Sequence, residues 1–385
     1  MKKLLSIKWK NYINYIVIGV VTVVFAIMAM SGSLQQSMAY RLEEIAISII
    51  LAVSLSLVVG FLGELSLGHA GFMCVGAYLG GKTAAILAAT SLGNGLVTFL
   101  ISLIVGGICA GICGFIIGLP ALRLKGDYLA ITTLAFGEIV RTIFQNTKPE
   151  TFGGAIGLPT PRYDRKVFFI ICFAVLLFTL YVIQNLIRSK HGRAITAIRD
   201  NEIAAKSCGI NVTRYKLVGF IVAAIFAGFA GVLFSYTQNN VSSATFDYNY
   251  SIEILVMVVL GGMGSINGSI LAATLITYLN KELAIVLTGD LAVLKDLVYS
   301  LILIIIVIYN NAPALANIRE KYNVKNLFAK LTKNKFKHKG EADDSGRWDV
   351  VPTKIKMDAL LSTDLVVNDI KPDKKNEEGG KENDQ

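Results

Sequence analysis

Charged residues are scarce in this sequence. Only 17% of its 385 residues are Asp, Glu, Lys or Arg, and 54% are hydrophobic, whereas a soluble domain carries about a quarter charged residues. Apolar runs of about 18 residues or more, the length that spans a bilayer, recur along most of the chain. This pattern excludes an ordinary soluble domain and indicates a polytopic membrane protein. The first run, 12–30, is long enough to span, so we interpret it as a transmembrane helix rather than a cleavable signal.

Histidine and cysteine are also few. The three histidines lie in separate contexts with no acid, nucleophile or metal ligand spaced around them, so we predict no catalytic residue, no metal site and no enzyme activity. The five cysteines lie in apolar runs or in one basic loop, a distribution that indicates no disulfide framework. Cys109 and Cys113 share a helix face at i,i+4 spacing, and we interpret them as packing residues rather than metal ligands.

Hydropathy predicts an all-α fold with about ten transmembrane helices. The predicted spans are 12–30, 44–62, 71–90, 95–119, 127–145, 167–187, 216–236, 251–268, 269–288 and 293–310. The eighth and ninth are the least secure, because GGMGSINGS at 261–269 fits either a tight turn or a break inside one longer element.

The basic residues indicate the orientation of these spans. The net charge is +10, but Lys and Arg in a membrane protein mostly mark cytoplasmic loops, so we do not predict nucleic-acid binding. With ten spans, the N-terminal lysines, Arg123 and the basic loop 188–216 all lie inside, whereas the basic loop 146–166 is an exception. We therefore predict a multi-pass protein of the cytoplasmic (inner or plasma) membrane with both termini cytoplasmic.

The composition changes at about residue 317. Residues 319–339 carry eight Lys or Arg against one Glu, and the C-terminal end is polar and of low complexity. Such a segment cannot bury enough apolar surface to fold alone, and its basic start favours anionic lipid headgroups. We predict a transmembrane permease domain at 1–316 and a charged, mostly disordered cytoplasmic tail at 317–385.

The loop 188–216 is too long for a tight connection and too polar for the bilayer. We predict two short helices here, with Asp200 or Asn201 capping the second and Gly209 ending it. Ala204 and Ala205 would leave a smooth helix surface that a groove in a soluble partner could receive. An amphipathic loop lying on the headgroups is the alternative, and these residues alone do not decide between the two.

A resemblance bears on this choice. Ala204-Ala205-x-x-x-Gly209 resembles the cytoplasmic coupling loop of ABC importer permeases, whose pattern is Glu-Ala-Ala, three residues, then Gly. In this sequence Glu202 stands one place too early and Ile203 occupies its position.

Longer blocks resemble one subfamily much more closely, the M-type permease subunit of branched-chain amino acid (LIV-type) ABC importers. The blocks occur in the expected order, and the resemblance covers about residues 40–310. They are LSLGHAGFMCVGAY (65–78), GDYLAITTLAFGEIVR (126–141), HGRAITAIRDNEIAAKSCGINVTRYKL (191–217) and GGMGSINGS (261–269). One departure is YNNAPALANIRE (309–320), which replaces the Arg-Pro-x-Gly-Leu usual in such subunits.

The resemblance implies an importer of branched-chain amino acids with several partners in and on the lipid bilayer. These would be a second permease subunit, two cytoplasmic ATPase subunits and an extracytoplasmic substrate-binding protein. The chain contains no G-x-x-x-x-G-K-[ST] phosphate loop, so we expect no cofactor here and ATP use by the partner subunits. The alternatives are the same architecture importing urea or a nucleoside, a secondary transporter without an ATPase, and a non-transporting scaffold.

Two features inside the apolar runs are candidates for the substrate pathway. Glycine clusters near 63–71 and 261–264 either interrupt helices and expose backbone groups to a substrate, or only allow close packing or a chain reversal. Glu138 and Arg141 share a helix face and form either a gate element or a structural ion pair.

The candidate pathway or gate residues are Gly63, Glu64, Ser66, Gly68, His69, Gly71, Glu138, Gly261, Gly262 and Gly264. The candidate coupling-loop residues are Arg193, Arg199, Asp200, Glu202, Ala204, Ala205 and Gly209.

Overall fold

The computed structural model describes most of the predicted transmembrane region. The described residues are 13–30, 35–90, 93, 95–124, 126–161, 163, 165–238 and 240–286, together with 297, 298, 300, 301 and 304. The predicted tenth span, 293–310, lies largely outside these residues, and the predicted tail, 317–385, lies wholly outside them.

Helices dominate the described part of the chain. They are α1 (Ile13–Met30), α2 (Gln36–Ser56), α3 (His69–Ala88), α4 (Leu96–Ala121), α5 (Asp127–Gln145), α6 (Pro149–Phe152), α7 (Arg165–Arg188), α8 (Lys190–Asp200), α9 (Glu202–Ser207), α10 (Val212–Thr237), α11 (Tyr248–Gly261) and α12 (Ile266–Val286). A π-helical segment, Leu57–Leu62, continues α2, and a 3-10 turn, Ser243–Phe246, precedes α11. The short strands β1 (Leu158–Pro159) and β2 (Asn240–Val241) pair antiparallel, with Leu158 opposite Val241.

The helical, polytopic character predicted from hydropathy is confirmed. Of the described helices, five are long and apolar enough to cross a membrane. They are Gln36–Leu62, His69–Ala88, Leu96–Ala121, Phe168–Arg188 and Val212–Thr237. Helix α11 is apolar but shorter. Each of the first nine predicted spans overlaps a described helix. The predicted boundary between the eighth and ninth spans, 268/269, is wrong, because α11 ends at Gly261 and α12 begins at Ile266, so the chain breaks within GGMGSINGS.

Helix α2 begins at Gln36, well before the predicted start at 44. Charged residues near its start lower the local hydropathy, and two of them pair with residues of α12. Arg41 forms an ion pair with Glu282, and Glu44 Oε2 lies 2.6 Å from Lys281 Nζ. Because a partner on the neighbouring helix compensates each of these charges, the helix continues through them.

Helix α2 is central to the bundle. It packs against α7, α10, α11 and α12, and α10 also packs against α3 and α4. Accordingly, 89% of the most apolar stretch within Gln36–Leu62 is buried inside the chain, whereas 39% of the corresponding stretch of α4 is buried. Helix α4 exposes an apolar stripe at i,i+4 spacing that includes Leu100, Ile104, Ile108 and Ile112, as expected of a helix that faces lipid or another apolar partner.

Candidate coupling junction

The end of α2 is irregular. Six residues, Leu57–Leu62, adopt a π-helix, a conformation that is rare and frequent at functional sites. Gly63 then turns the chain with a φ of 78°, in the left-handed region that glycine tolerates best. Residues 63–68 are non-helical, and α3 begins at His69. The glycine-rich stretch therefore forms the connection between two buried helices.

The loop 188–216 forms the two short helices predicted, α8 and α9. Asn201, rather than Asp200, caps α9, because its side-chain oxygen accepts a hydrogen bond from Ala204 N at 3.0 Å. Gly209 follows the end of α9 with a φ of 80°. Its N–H donates to Lys206 O, and Ile210 N donates to Ala205 O at 3.1 Å, which is the Schellman arrangement that glycine favours.

The two alanines of α9 differ in exposure. Ala204 is exposed, but Ala205 is buried with Ile198 and Val212, so the prediction that both alanines form an open surface is wrong for Ala205. Helical periodicity turns neighbouring residues to different sides, and here it turns Ala205 inward. The large apolar side chain that α9 does present is Ile203, which is 79% exposed.

Arg199 at the end of α8 reaches both glycine-rich turns. Its Nη1 donates to Gly60 O, in the π-helical segment, at 3.0 Å. A Cβ at Gly63 would lie 2.7 Å from Arg199 Cγ, and a Cβ at Gly264 would lie 3.3 Å from Arg199 Nη1. Asp200 accepts hydrogen bonds from Arg199 Nε and Nη2 at 3.1 and 2.9 Å. One arginine thus joins α8 to two turns that are distant in sequence.

An ion chain makes a second connection between the same parts. Lys216 in the first turns of α10 pairs with Glu64 and lies 3.2 Å from Glu202 Oε2 on α9. Glu202 Oε1 in turn accepts a hydrogen bond from Lys206 at 2.8 Å. The hydrogen bond from Lys206, supported by Lys216, lowers the pKa of the Glu202 carboxyl. Lys216 has a side chain only 7% exposed, and it is not among the candidate residues predicted from the sequence.

We name the assembly of Gly60, Gly63, Glu64, Arg199, Glu202, Lys216 and Gly264 the coupling junction. It brings together residues from two of the four sequence blocks described above, from the π-helical segment and from the two residues that follow that segment. The signal that could have indicated Lys216 is a lysine at the start of an apolar run, since such a charge needs a partner.

The start of α3 is packed closely rather than open. His69 is buried, and its Nε2 lies 2.8 Å from Ser54 Oγ. A Cβ at Gly68 would overlap the carbonyl oxygen of Thr133, and one at Gly71 would lie 2.7 Å from Gly137 Cα. These glycines therefore allow α3 to approach α5.

The remaining candidates lie outside the junction or at its edge. Glu138 accepts a hydrogen bond from Arg141 Nε at 2.8 Å, within α5. Gly261 and Gly262 form the turn between α11 and α12, where a Cβ on Gly261 would lie 2.5 Å from Ser269 N. Arg193 is exposed on α8.

Ser66 is buried, and its hydroxyl makes no hydrogen bond within the part of the chain that the structure describes. Across the same residues, no group of three or more His, Cys, Asp or Glu side chains is arranged to hold a metal ion.

A bundle of apolar helices with two short polar helices fastened to an interrupted span is consistent with a membrane permease. The sequence model of one permease family, "Branched-chain amino acid transport system / permease component", matches residues 37–307. That match covers well over half of the chain. The chain belongs to this family.

Two curated relatives are similar to the chain. The high-affinity branched-chain amino acid transport system permease protein LivM of Salmonella typhimurium is 37% identical over 285 residues, which cover 64% of this chain and 65% of that protein. The probable branched-chain amino acid transport permease protein LivM of Methanocaldococcus jannaschii is 32% identical over 168 residues, which cover 40% of this chain and 48% of that protein. The chain thus spans just under two thirds of the first relative and about half of the second.

Among solved structures, PsaBC from Streptococcus pneumoniae in complex with Fab superposes with a TM-score of 0.43 at 14% identity. The superposition covers 75% of this chain and 96% of that chain.

Proposed function

We propose that the chain is one permease subunit of an ATP-driven importer of branched-chain amino acids in the cytoplasmic membrane. The substrate class is supported by the family to which the chain belongs and by its LivM relatives. The proposed mechanism rests on the coupling junction, in which Arg199 of α8 donates a hydrogen bond to Gly60 O in the π-helical end of α2.

The partners in this proposal are a second permease subunit, two cytoplasmic ATPase subunits and an extracytoplasmic substrate-binding protein. ATP is hydrolysed by the ATPase subunits, and this chain carries no cofactor. The proposed permease domain is 1–316, with about ten spans, both termini cytoplasmic and a charged tail at 317–385. In this topology the coupling junction faces the cytoplasm, where an ATPase subunit docks on α8 and α9.

The junction offers a physical route for transmitting movement. A displacement of α9 moves Glu202, and through Lys216 the shift reaches Glu64 in the connection between α2 and α3. A displacement of α8 moves Arg199 against Gly60 and the Gly264 turn. The left-handed turn at Gly63 and the π-helical segment next to it can change conformation while the packed helices move as units.

A substitution on the exposed face of α9 tests ATPase docking. Ile203 is 79% exposed, so Ile203→Asp leaves the fold intact but places a carboxylate on a surface that we expect to enter an apolar groove. Such a buried, uncompensated charge is costly, and we expect the ATPase subunit no longer to co-purify with the permease. The matched control is Ile156→Asp. Ile156 is similarly exposed, at 76%, but it lies in the loop between α6 and β1 and not in the polar segment that contains α9. Equal ATPase recovery with both variants would contradict the proposal.

A further inference from the structure

A cavity lies among the ends of α2, α10, α11 and α12 that are remote from the coupling junction. It has a volume of about 260 Å³, near the lower end of the range for small-molecule sites. Helix α2 lines the cavity with residues up to Ser48, whereas its π-helical segment at the junction begins at Leu57. Nine residues of helix correspond to roughly 14 Å, so the cavity and the junction are separate sites.

Charges of both signs line this cavity and are held in place by neighbouring helices. Lys281 Nζ on α12 lies 2.6 Å from Glu44 Oε2 on α2 and 5.3 Å from the centroid of the Tyr40 ring. Glu253 on α11 accepts a hydrogen bond from Asn280 Nδ2 on α12 at 3.0 Å. An ammonium and two carboxylates therefore face one space in fixed positions.

A buried hydroxyl gives a second, independent indication of a ligand. Thr277 lines the cavity and is only 6% exposed, yet its Oγ1 makes no hydrogen bond to any residue that the structure describes. Leaving a buried polar group unsatisfied is unfavourable, and such groups usually bind a ligand or water. Thr277 lies one helical turn before Lys281, so the two side chains share a face of α12.

Part of the remaining lining forms an apolar wall, and Ser48, Gln238, Asn240 and Thr245 add polar side chains. Ile47, Phe234 and Met257, from three different helices, contribute to the wall, and each is buried. The cavity therefore combines a hydrocarbon surface with a cationic group, a hydroxyl and carboxylates.

We propose that this cavity binds an α-amino acid as its zwitterion. Lys281 and Thr277 bind the carboxylate, Glu44 and Glu253 bind the ammonium group, and Ile47, Phe234 and Met257 contact an aliphatic side chain. The choice of an aliphatic amino acid rests on the proposed function, whereas the requirement for both charged groups rests on the lining itself. The cavity is then a substrate site within this one subunit, reached before the segments that the coupling junction controls.

The test is direct binding of radiolabelled L-leucine to the full transporter in lipid nanodiscs without its binding protein. Thr277→Val keeps the side-chain shape and removes the unpartnered hydroxyl, so we expect affinity to fall about 3- to 10-fold with no loss of thermal stability. Lys281→Met should weaken binding at least tenfold. The matched control is Thr274→Val, one turn earlier on α12, where the hydroxyl donates to Ile270 O at 2.8 Å and does not line the cavity.

Ligand analogues test the zwitterion directly. 3-Methylbutylamine lacks the carboxylate and 4-methylpentanoate lacks the ammonium group, and each should compete with L-leucine at least tenfold more weakly than unlabelled leucine. Competition by either analogue equal to that of leucine would overturn the zwitterion assignment.

Three further results would overturn the site. The site is wrong if wild-type transporter does not bind L-leucine, if Thr277→Val binds it as tightly as Thr274→Val, or if Thr277→Val raises thermal stability without changing affinity. Because Lys281→Met leaves Glu44 without its partner, the double variant Glu44→Gln, Lys281→Met is measured if the single one fails to fold.

Uptake separates failure of this site from failure of the proposed function. Normal ATP-dependent leucine uptake by the wild type, with no effect of Thr277→Val on binding, would leave the importer assignment intact and reject the cavity. Absence of uptake in the complete wild-type transporter would reject the importer assignment itself.

Discussion

Glu64, in the connection between α2 and α3, forms an ion pair with Lys216, in the first turns of α10. Both side chains are almost buried, and Lys216 also contacts Glu202 of α9. A buried pair of this kind contributes less to net stability than its Coulomb attraction suggests, but removing one partner is costly because the other charge remains buried. The contact therefore fixes the position of α9 relative to two buried helices.

Lys216→Met should destabilise the protein by about 3 kcal/mol, since it leaves Glu64 buried without its partner. Thermal unfolding in detergent measures the effect. The control is Lys206→Met, because Lys206 is 59% exposed and an exposed i,i+4 pair contributes about 0.3–0.5 kcal/mol. Adding Glu64→Gln to Lys216→Met should restore part of the loss. No difference between Lys216→Met and Lys206→Met would show that the buried pair does not form.

Gly68→Ala should be destabilising by about 1–3 kcal/mol, the usual cost of overpacking, because the new Cβ would overlap the carbonyl oxygen of Thr133. The control is Gly19→Ala in α1, where nothing lies within 4 Å of the added Cβ and alanine favours the helix. Unfolding temperatures of the two variants should therefore move in opposite directions. Equal shifts would contradict the close approach of α3 to α5.

Gly209→Asp should abolish ATP-dependent uptake while the protein still reaches the membrane. A Cβ at Gly209 meets nothing within 4 Å, so the substitution adds charge and modest backbone strain on the surface that α9 presents to an ATPase subunit. The matched control is Gly93→Asp, since Gly93 also has a positive φ and a Cβ added there meets nothing within 4 Å. Uptake in cells, with membrane amounts measured by immunoblot, distinguishes the variants; loss of uptake in both would indicate a general folding defect.

Stability should depend on Glu202 in a specific pH window. Because the native pKa of Glu202 is lowered from its ordinary value of 4.5, its ionised form stabilises the folded state above that value, and the contribution is lost as pH falls through the native pKa. Wild type should thus unfold at a higher temperature than Glu202→Gln at pH 7, and the two curves should converge below about pH 4.5. A gap that persists at lower pH would contradict this assignment.

The sequence predicted helices better than contacts. Helix α5 lies at 127–145 as predicted, and α9 begins directly after Asn201, one of its two predicted capping residues, because these features depend on local hydropathy and on side-chain to backbone hydrogen bonds. The predicted start of α2 lies too late in the chain, because charged residues lower the hydropathy there. The local sequence does not show that residues of α12 compensate these charges. The prediction that Ala205 lies on an open surface is wrong because Ala205 packs against Ile198 of α8 and Val212 of α10. The sequence of α9 alone does not identify these contacts.

The junction was predicted only as separate parts. Gly63, Glu64, Arg199, Glu202 and Gly264 were each candidates, in two groups with different roles. The ion pair that joins the groups connects residues 152 positions apart in sequence, and nothing in the local pattern specifies such a pairing.

The central claim is that Arg199 transmits movement from α8 to the end of α2. Its most direct test is the ratio of leucine transported to ATP hydrolysed by the reconstituted transporter carrying Arg199→Met. The control is Arg123→Met, at an exposed position that follows α4 and belongs to neither α8 nor α9. We predict that Arg199→Met hydrolyses ATP within about twofold of wild type but transports roughly tenfold less leucine per ATP, while Arg123→Met keeps the wild-type ratio. A wild-type ratio for Arg199→Met would contradict the claim.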